Sequence, residues 1–403
     1  MKLLVFAHIP PPHHGQSYMV KLMLDGFGGD ARRHPTPGPQ AARLGIECYH
    51  VNARFSKTLE DVGTFQGTKL FLIMFYCFQA IWCRFRYGVE NFYYVPAPGK
   101  RVALYRDWLV MFLCRPFFKR VILHWHAAGL AKWLETSVQI RSRAATYRLF
   151  RPVDLSIVLS RYNVADARKL LSRHISLVSN CVPDPCPNYE PVIRAHRQTQ
   201  LEWRRELLSA AGTTTSGTVS VLFLAHCSAE KGLFAALHAV VIANRKLLAR
   251  GARLKLKLLV AGSFVGENEK RQFDELLRQP EYEPAAQFLG FIDEVEKQRV
   301  LHDAGLMCFP TCYLGENQPV TVIEAMAFGL PVVTTRWRSL PEMFPPGYPG
   351  LVASQNPEEI ADNLIALLEW GGSESLRQHY LAHFTLEKYQ SGLAAALHAL
   401  ESV

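Results

Sequence analysis

The sequence holds no apolar run long enough to cross a bilayer. Its longest, Leu70 to Cys83 (LFLIMFYCFQAIWC), counts 14 residues, short of the roughly 20 a membrane-spanning helix needs. No C-x2-C pair occurs among the nine cysteines, and an odd, scattered set argues for a reducing compartment over a disulfide scaffold. The closest pairs, Cys181 with Cys186 and Cys308 with Cys312, have no matching His or Cys partners, so no metal site is expected. There is no low-complexity run, and no segment is poor enough in apolar residues to be disordered. The opening MKLLVFAHIPPP has one Lys and a short apolar run before its prolines, which reads as a strand and not a signal peptide. What is left is a globular chain, expected in the cytoplasm, whose 403 residues suffice for two domains with sizeable cores.

Acidic residues are scarce in the first half only. Residues 1–195 carry 26 Lys and Arg against 12 Asp and Glu, while residues 196–403 carry 19 against 23. The basic half is therefore expected to meet something anionic, a membrane surface or a phosphorylated acceptor. Nucleic acid is excluded as a partner, because no basic helix or base-stacking signature accompanies the charge. Leu70 to Tyr87, closing on Arg84 and Arg86, reads as a buried helix or as one lying in the plane of a membrane. In RVALYRDWLVMFLCRPFFKR, aromatics alternate with Arg106, Arg115, Lys119 and Arg120, the mark of a solvated basic face or of a surface resting on anionic lipid.

Strand and helix patterns alternate along the chain. KLLVFAHI, IECYHVN, NFYYVPAP, RVILHWH and VDLSIVLS read as strands of one domain, and TVSVLFLAH, LKLKLLVAG, AAQFLGF, LMCFPT and PVVTT as strands of a second. The spacing predicts an α/β protein with two doubly wound parallel sheets. Residues Gly26 to Gly45 read as a loop, and Pro183, Pro185, Pro187 and Pro191 as a linker. The expected domains are 1–190 and 191–375, with a final helix over 376–403.

The chain is organised around Phe309 to Leu340, FPTCYLGENQPVTVIEAMAFGLPVVTTRWRSL. Asn317 reads as an N-cap, Pro319 as the first helical residue, VTVIEAMAF as a short apolar helix, Gly329 as its stop and PVVTT as a buried strand. A helix starting just after a strand and a loop points unpaired amides and a positive dipole end above the sheet, which makes an anion site. Glu316 and Glu324 bracket that start. A carboxylate repels phosphate, so each must serve something else.

The E-x7-E spacing of Glu316 and Glu324, followed by A-M-A-x-G-x-P-V-V, resembles the donor-site signature of the retaining glycosyltransferases of family four. That resemblance implies the GT-B fold, two facing Rossmann-like domains with an interdomain cleft: an N-terminal acceptor-binding domain, a C-terminal nucleotide-sugar donor domain and a last helix crossing back. It implies that Glu324 holds ribose and Glu316 meets the hexose, with Asn317, Gln318, Pro319 and Val320 forming the donor loop. Lys231 and Gly232 match the end of the family's G-R-x4-K-G loop, where Lys231 opposes the diphosphate. His226 stands at the family's Arg position, and an imidazole there offers less charge than guanidinium and no fork. Gly15 matches the first Gly of the P-P-x-x-G-G loop, and Gln16 replaces the second. His126, ending a strand before Ala127, Ala128 and Gly129, is the candidate imidazole close to the sugar, with His124 as its alternative. Asn180, in an N-C-V that stands for the family's N-G-V, is expected to shape a loop.

The reaction implied is metal-independent and needs no cofactor. The substrate is a nucleotide diphosphosugar, and the acceptor a glycan or lipid-linked precursor of bacterial surface polysaccharide. The absence of a D-x-D element agrees with a metal-free route. Two further readings share the architecture: a binding-only protein that senses nucleotide sugar, and a GT-B-type epimerase.

Overall fold

The computed structural model describes residues 1–11, 15–34, 36, 38–55, 67–96, 99–209 and 216–401. In chain order the elements are β1 (Lys2–Phe6), α1 (Gly15–Gly26), α2 (Pro39–Leu44), β2 (Glu47–Val51), α3 (Gly67–Tyr87), β3 (Asn91–Tyr94), α4 (Arg101–Cys114), β4 (Arg120–Trp125), α5 (Leu130–Ser137), α6 (Ile140–Phe150), β5 (Val153–Val158), α7 (Val164–Lys169) and β6 (Ser172–Leu177). There follow α8 (Ala195–Leu208), β7 (Gly217–Leu224), α9 (Leu233–Ala249), β8 (Leu254–Ala261), α10 (Glu267–Leu277), β9 (Ala286–Gly290), α11 (Glu294–Asp303), β10 (Leu306–Phe309), α12 (Val320–Ala327), β11 (Val332–Thr335), β12 (Leu351–Val352), α13 (Pro357–Leu368), α14 (Ser373–His383) and α15 (Leu386–His398). They form two compact units, Met1–Cys181 with Leu386–Val403, and Val182–Thr385.

The first unit holds a six-stranded sheet in the order β2-β1-β3-β4-β5-β6, parallel throughout. Its central strands are buried on both faces, which is why Leu3, Leu4, Val5, Ile122 and Leu123 run without polar alternation. In α3, Ile73, Cys77, Ala80 and Cys83 point into the core while the opposite face stays exposed, so the buried-helix reading holds for one face only. The segment expected as a loop between Gly26 and Gly45 contains α2. The last helix, α15, belongs to this unit and is held on α1 by Tyr389, whose hydroxyl donates to the Met19 carbonyl at 3.1 Å.

The second unit has a parallel sheet in the order β12-β11-β10-β7-β8-β9. One apolar layer packs α9 and α13 on one face, and another packs α12 and α14 on the other. The units divide at Cys181 and Thr385, whereas the sequence reading put its boundaries at 190 and 375. The prolines of 183–191 do not make a free linker. Cys186, Tyr189 and Ile193 are buried in the second unit's own core, and Arg377 binds the Asp184 carboxylate with both terminal nitrogens, at 2.8 and 2.7 Å. The expected final helix is two helices: Phe384 ends α14, and its carbonyl accepts the Val182 amide at 3.0 Å.

Candidate active site in the second unit

From β7 the chain moves outward through β8 to β9, then returns to lay β10 on the other side of β7. The loops leaving the carboxyl ends of β7 and β10 therefore depart in opposite directions, and ligands of doubly wound sheets sit at such a switch point. Here the two loops are tied together. The Cys312 amide donates to the Glu230 carbonyl at 2.8 Å, and the Gln355 side-chain amide to the Pro310 carbonyl at 2.7 Å. From the next strand, the Thr335 hydroxyl donates to the Thr311 carbonyl at 2.5 Å and the Trp337 indole to the Tyr313 carbonyl at 2.8 Å.

This cross-bracing brings Lys231, from the loop after β7, against Glu316, from the loop after β10. Lys231 Nζ lies 2.7 Å from Glu316 Oε2, and the Thr311 hydroxyl donates to the same oxygen at 3.0 Å. The ammonium also stands 4.6 Å from the centre of the Tyr313 ring. Gly232 makes the turn possible. Its φ is +89°, and a Cβ there would come within 2.4 Å of the Pro310 carbonyl oxygen. His226 is partly buried one loop turn earlier, and burial first, then the nearby Lys231 charge, pull its pKa below 6.5. At neutral pH it is an uncharged imidazole, so the guanidinium that the family pattern has here is not mimicked by a protonated ring.

The helix α12 is buried from Val322 to Ala327, with Val320 and Thr321 partly exposed at its start, as expected of a mostly apolar helix packed between sheet and neighbours. Ile323 and Met326 have no exposed surface, each worth roughly 1.5–3 kcal/mol of burial. The helix begins at Val320 with Pro319 as its N-cap residue, φ −64° and ψ 126°, and no side chain caps it. The sequence reading had Asn317 in that role. Instead Asn317 is buried, and the Ser339 hydroxyl lies 2.6 Å from its carbonyl and 2.8 Å from its side-chain oxygen. The first described helical bonds come from the amides of Val322 and Ile323 to the Pro319 carbonyl, so the amides of Val320 and Thr321 face ahead of the helix. Gln318 is buried beside them. At the other end Gly329, φ +60°, closes the helix while Leu330 donates to the Ala325 carbonyl at 2.8 Å, a left-handed termination.

Glu324, on α12, is buried and meets Lys297 of α11 at 2.5 Å. Burial raises the Glu324 pKa, and the Lys297 charge and hydrogen bond only partly oppose this. Lys297 is itself pushed down by burial, but the carboxylates of Glu324 and Glu294 more than reverse this. Both acids of the E-x7-E spacing thus carry a lysine partner, Lys231 on one and Lys297 on the other.

Three of the expected residues lie in the first unit. Gly15 and Gln16 open α1, after β1, and His126 follows the last residue of β4. The His126 ring centre is 4.1 Å from that of His124. His124 is a core histidine: it is fully buried, its Nδ1 is hydrogen-bonded to the Tyr93 hydroxyl at 2.5 Å, and burial holds its pKa well below 6.5. His126 is partly exposed beyond the strand end, with both of its ring nitrogens buried.

Sequence reasoning missed Thr311, Ser339 and Lys297. Thr311 and Ser339 carry no pattern of their own. Lys297 had one faint signal, since it falls in helical register with the buried Val300, Leu301 and Ala304, which puts it on the inward face of α11.

Two parallel six-stranded α/β sheets, with a braced loop cluster at the switch point of the second, define a GT-B-fold protein. The fold likeness extends over the full length: HepE from Anabaena, solved in complex with UDP-glucose, matches with a TM-score of 0.64 at 14% identity over 100% of both chains. Sucrose-phosphate synthase from Thermosynechococcus elongatus matches with a TM-score of 0.68 at 17% identity, again over 100% of both. Residues 205–380 match the family "Glycosyl transferases group 1". A curated relative, the putative colanic acid biosynthesis glycosyltransferase WcaL of Salmonella typhimurium, is 29% identical over 154 residues, 37% of this chain and 35% of the relative. The phosphatidyl-myo-inositol mannosyltransferase of Mycobacterium leprae is 33% identical over 96 residues, 24% of this chain and 25% of the relative. These alignments span about a third or less of the curated relatives' length.

Proposed function

We propose that the protein is a retaining glycosyltransferase that moves a hexose-type sugar from a nucleotide diphosphosugar to a glycan or lipid-linked acceptor. The setting is bacterial surface polysaccharide assembly, with the enzyme peripheral on the inner face of the plasma membrane. One observation carries the reading: a lysine and a buried glutamate held 2.7 Å apart, four residues ahead of an uncapped helix start, at the switch point of a parallel sheet. A diphosphate needs a cation and preorganised amides, which Lys231 and the amides of Val320 and Thr321 supply. Glu324 is the acceptor for ribose hydroxyls and Glu316 lies at the sugar. The roles proposed for Gly15, Gln16 and His126 come from the family resemblance, and each is tested by substitution with donor affinity as the readout. The polysaccharide names of relatives such as WcaL and the UDP-glucose held by HepE support the substrate class.

The step breaks the bond between sugar C1 and the β-phosphate oxygen and forms one from the acceptor oxygen to C1 on the same face. The acceptor proton passes to the departing phosphate oxygen, so configuration is retained. Lys231 stabilises the charge growing on that phosphate, and Glu316 the positive charge growing on the sugar. With this charge supplied by the chain, turnover is expected to survive a chelator.

The test incubates the protein with UDP-, GDP- and ADP-sugars and a membrane extract, following free nucleotide and the anomeric product. Nucleotide release that requires acceptor, with retained configuration, supports the proposal. Binding without release would make the protein a sensor of nucleotide sugar, and an altered sugar still attached to nucleotide would make it an epimerase.

A further inference from the structure

The outer face of α3 is aromatic from end to end. Phe71, Phe75, Phe78, Trp82 and Phe85 repeat at intervals of four and three residues, which aligns them along one side of the helix over about 21 Å. All five are exposed, Phe71 at 73% and Phe85 at 69%. They are not the remainder of a buried surface, because the opposite side already supplies Ile73, Cys77, Ala80 and Cys83 to the core.

The ridge continues beyond α3. Phe85 packs edge-on to Phe117, ring centres 5.9 Å apart, and α4, lying between α3 and α6, adds the exposed Tyr105 and Phe112. With an aromatic side chain offering about 200 Å², the exposed portions sum to on the order of 900 Å², beyond what a monomer's surface usually leaves uncovered. On the three helices themselves the exposed charge has one sign, while Glu90, just beyond α3, is held by Arg84 and Lys119. Helices α3 and α6 contain no Asp or Glu, and the single acid of α4, Asp107, is buried against the Tyr94 hydroxyl at 2.6 Å. Arg86, Arg101, Arg141 and Arg148 stand exposed on the three helices, and among the described residues none is paired with a carboxylate. No described helix is long and apolar enough to cross a membrane.

We infer that the α3–α4–α6 face of the first unit lies in the plane of an anionic lipid bilayer. Its aromatic ridge enters the headgroup and acyl boundary, and the unpaired arginines meet lipid phosphates. Charge complementarity selects this occupant over a second copy of the chain, since two such faces would bring arginines against arginines. An aromatic ridge flanked by exposed arginines is the pattern of an interfacial helix. The inference deepens the proposed peripheral location and rests on it for its setting, while the lipid contact itself requires no catalysis.

The test uses the full chain in vesicle flotation, with phosphatidylcholine alone or mixed with phosphatidylglycerol. Wild type is expected to float with the anionic vesicles and to be released steeply by salt. The triple variant Phe71→Ser, Phe78→Ser and Phe85→Ser should lose more than about tenfold in partitioning, by removal of most of the inserted apolar area. Arg141→Glu with Arg148→Glu should weaken binding and flatten its salt dependence. All substitutions are at exposed positions, and unchanged UDP-glucose binding by calorimetry relative to wild type checks that the variants fold. Wild type that ignores both vesicles, or a triple variant that binds as wild type does, overturns the inference. So does sedimentation showing a wild-type dimer that the triple variant abolishes without any vesicle binding. Vesicle binding with no nucleotide release from any donor would instead refute the glycosyltransferase reading and leave the lipid face standing.

Discussion

Lys231 and Glu316, 85 residues apart in sequence, form an ion pair of 2.7 Å between two loops that the sheet order makes neighbours. Both side chains are largely withdrawn from water, so neither charge can be removed without leaving the other poorly solvated. The glutamate fixes the position of the ammonium, which under the proposed mechanism is the charge a diphosphate draws on. A buried lysine already fixed in place needs little reorganisation when charge develops on a leaving group.

Replacing Lys231 by Ala is therefore expected to raise the barrier to transfer by about 2–4 kcal/mol, the range for loss of one preorganised charge stabiliser. Steady-state turnover with a saturating donor is the measurement, and undiminished turnover would remove Lys231 from the mechanism.

Glu324 joins donor affinity to pH. Glu324→Ala should weaken nucleotide-sugar binding measured by calorimetry, and equal affinity would contradict the ribose assignment. Burial raises the folded-state pKa of this carboxyl above its ordinary 4.5. Its contribution to stability is then fully present below pH 4.5 and is lost as pH rises through the folded value. In Glu324→Gln that loss should vanish, seen as a flatter dependence of urea midpoints on pH from 4.5 upward relative to wild type.

His226 separates charge from shape. Burial and Lys231 hold its pKa below 6.5, so at neutral pH it adds no positive charge for a substitution to remove. His226→Gln should cost turnover far less than Lys231→Ala does, whereas His226→Arg, restoring the family's residue, should match or exceed wild type. A His226→Gln variant as impaired as Lys231→Ala would mean that the ring is protonated once donor is bound.

Gly329 ends α12 with φ +60°, and a Cβ there would lie 2.6 Å from the Tyr189 hydroxyl and 2.9 Å from the Ser373 carbonyl oxygen. Gly329→Ala combines backbone strain with that overlap, and a loss of about 1–3 kcal/mol is expected. Thermal unfolding of the two proteins checks it, an unchanged midpoint being the contrary result.

A buried arginine supports the same helix from behind. Arg197 of α8 donates to the carbonyls of Phe328, Leu301 and Ala304, at 3.0, 2.6 and 2.5 Å, meeting the carboxyl-terminal ends of α12 and α11. Burial lowers its pKa to about 10, still well above neutral. Arg197→Met leaves three buried acceptors unpaired, and a cost of about 1–3 kcal/mol for each carbonyl not recovered by water is expected in urea unfolding.

Much of this was written in the sequence, because local chemistry decided it. Pro319 and Gly329 punctuate an apolar run too short and too uniformly buried to be anything but an internal helix. Unbroken Val and Leu runs require strands covered on both faces, and a Lys-Gly after a strand marks a turn only glycine can make. What escaped was whatever depended on which distant surfaces meet. Asn317 has the chemistry of a helix cap, yet Ser339, 22 residues on, engages its side chain instead. Prolines that locally signal a linker are gathered into a core because Arg377 reaches back across 193 residues to Asp184. Lys297 finds Glu324 only once α11 and α12 are packed. On α3, periodicity defined two apolar faces, and only the packed sheet determined that Cys77 and Ala80 would be covered while Phe71 and Phe85 stayed in solvent. Helical period sets which side chains share a face, whereas burying a face requires a second surface, and that surface exists only in the folded chain.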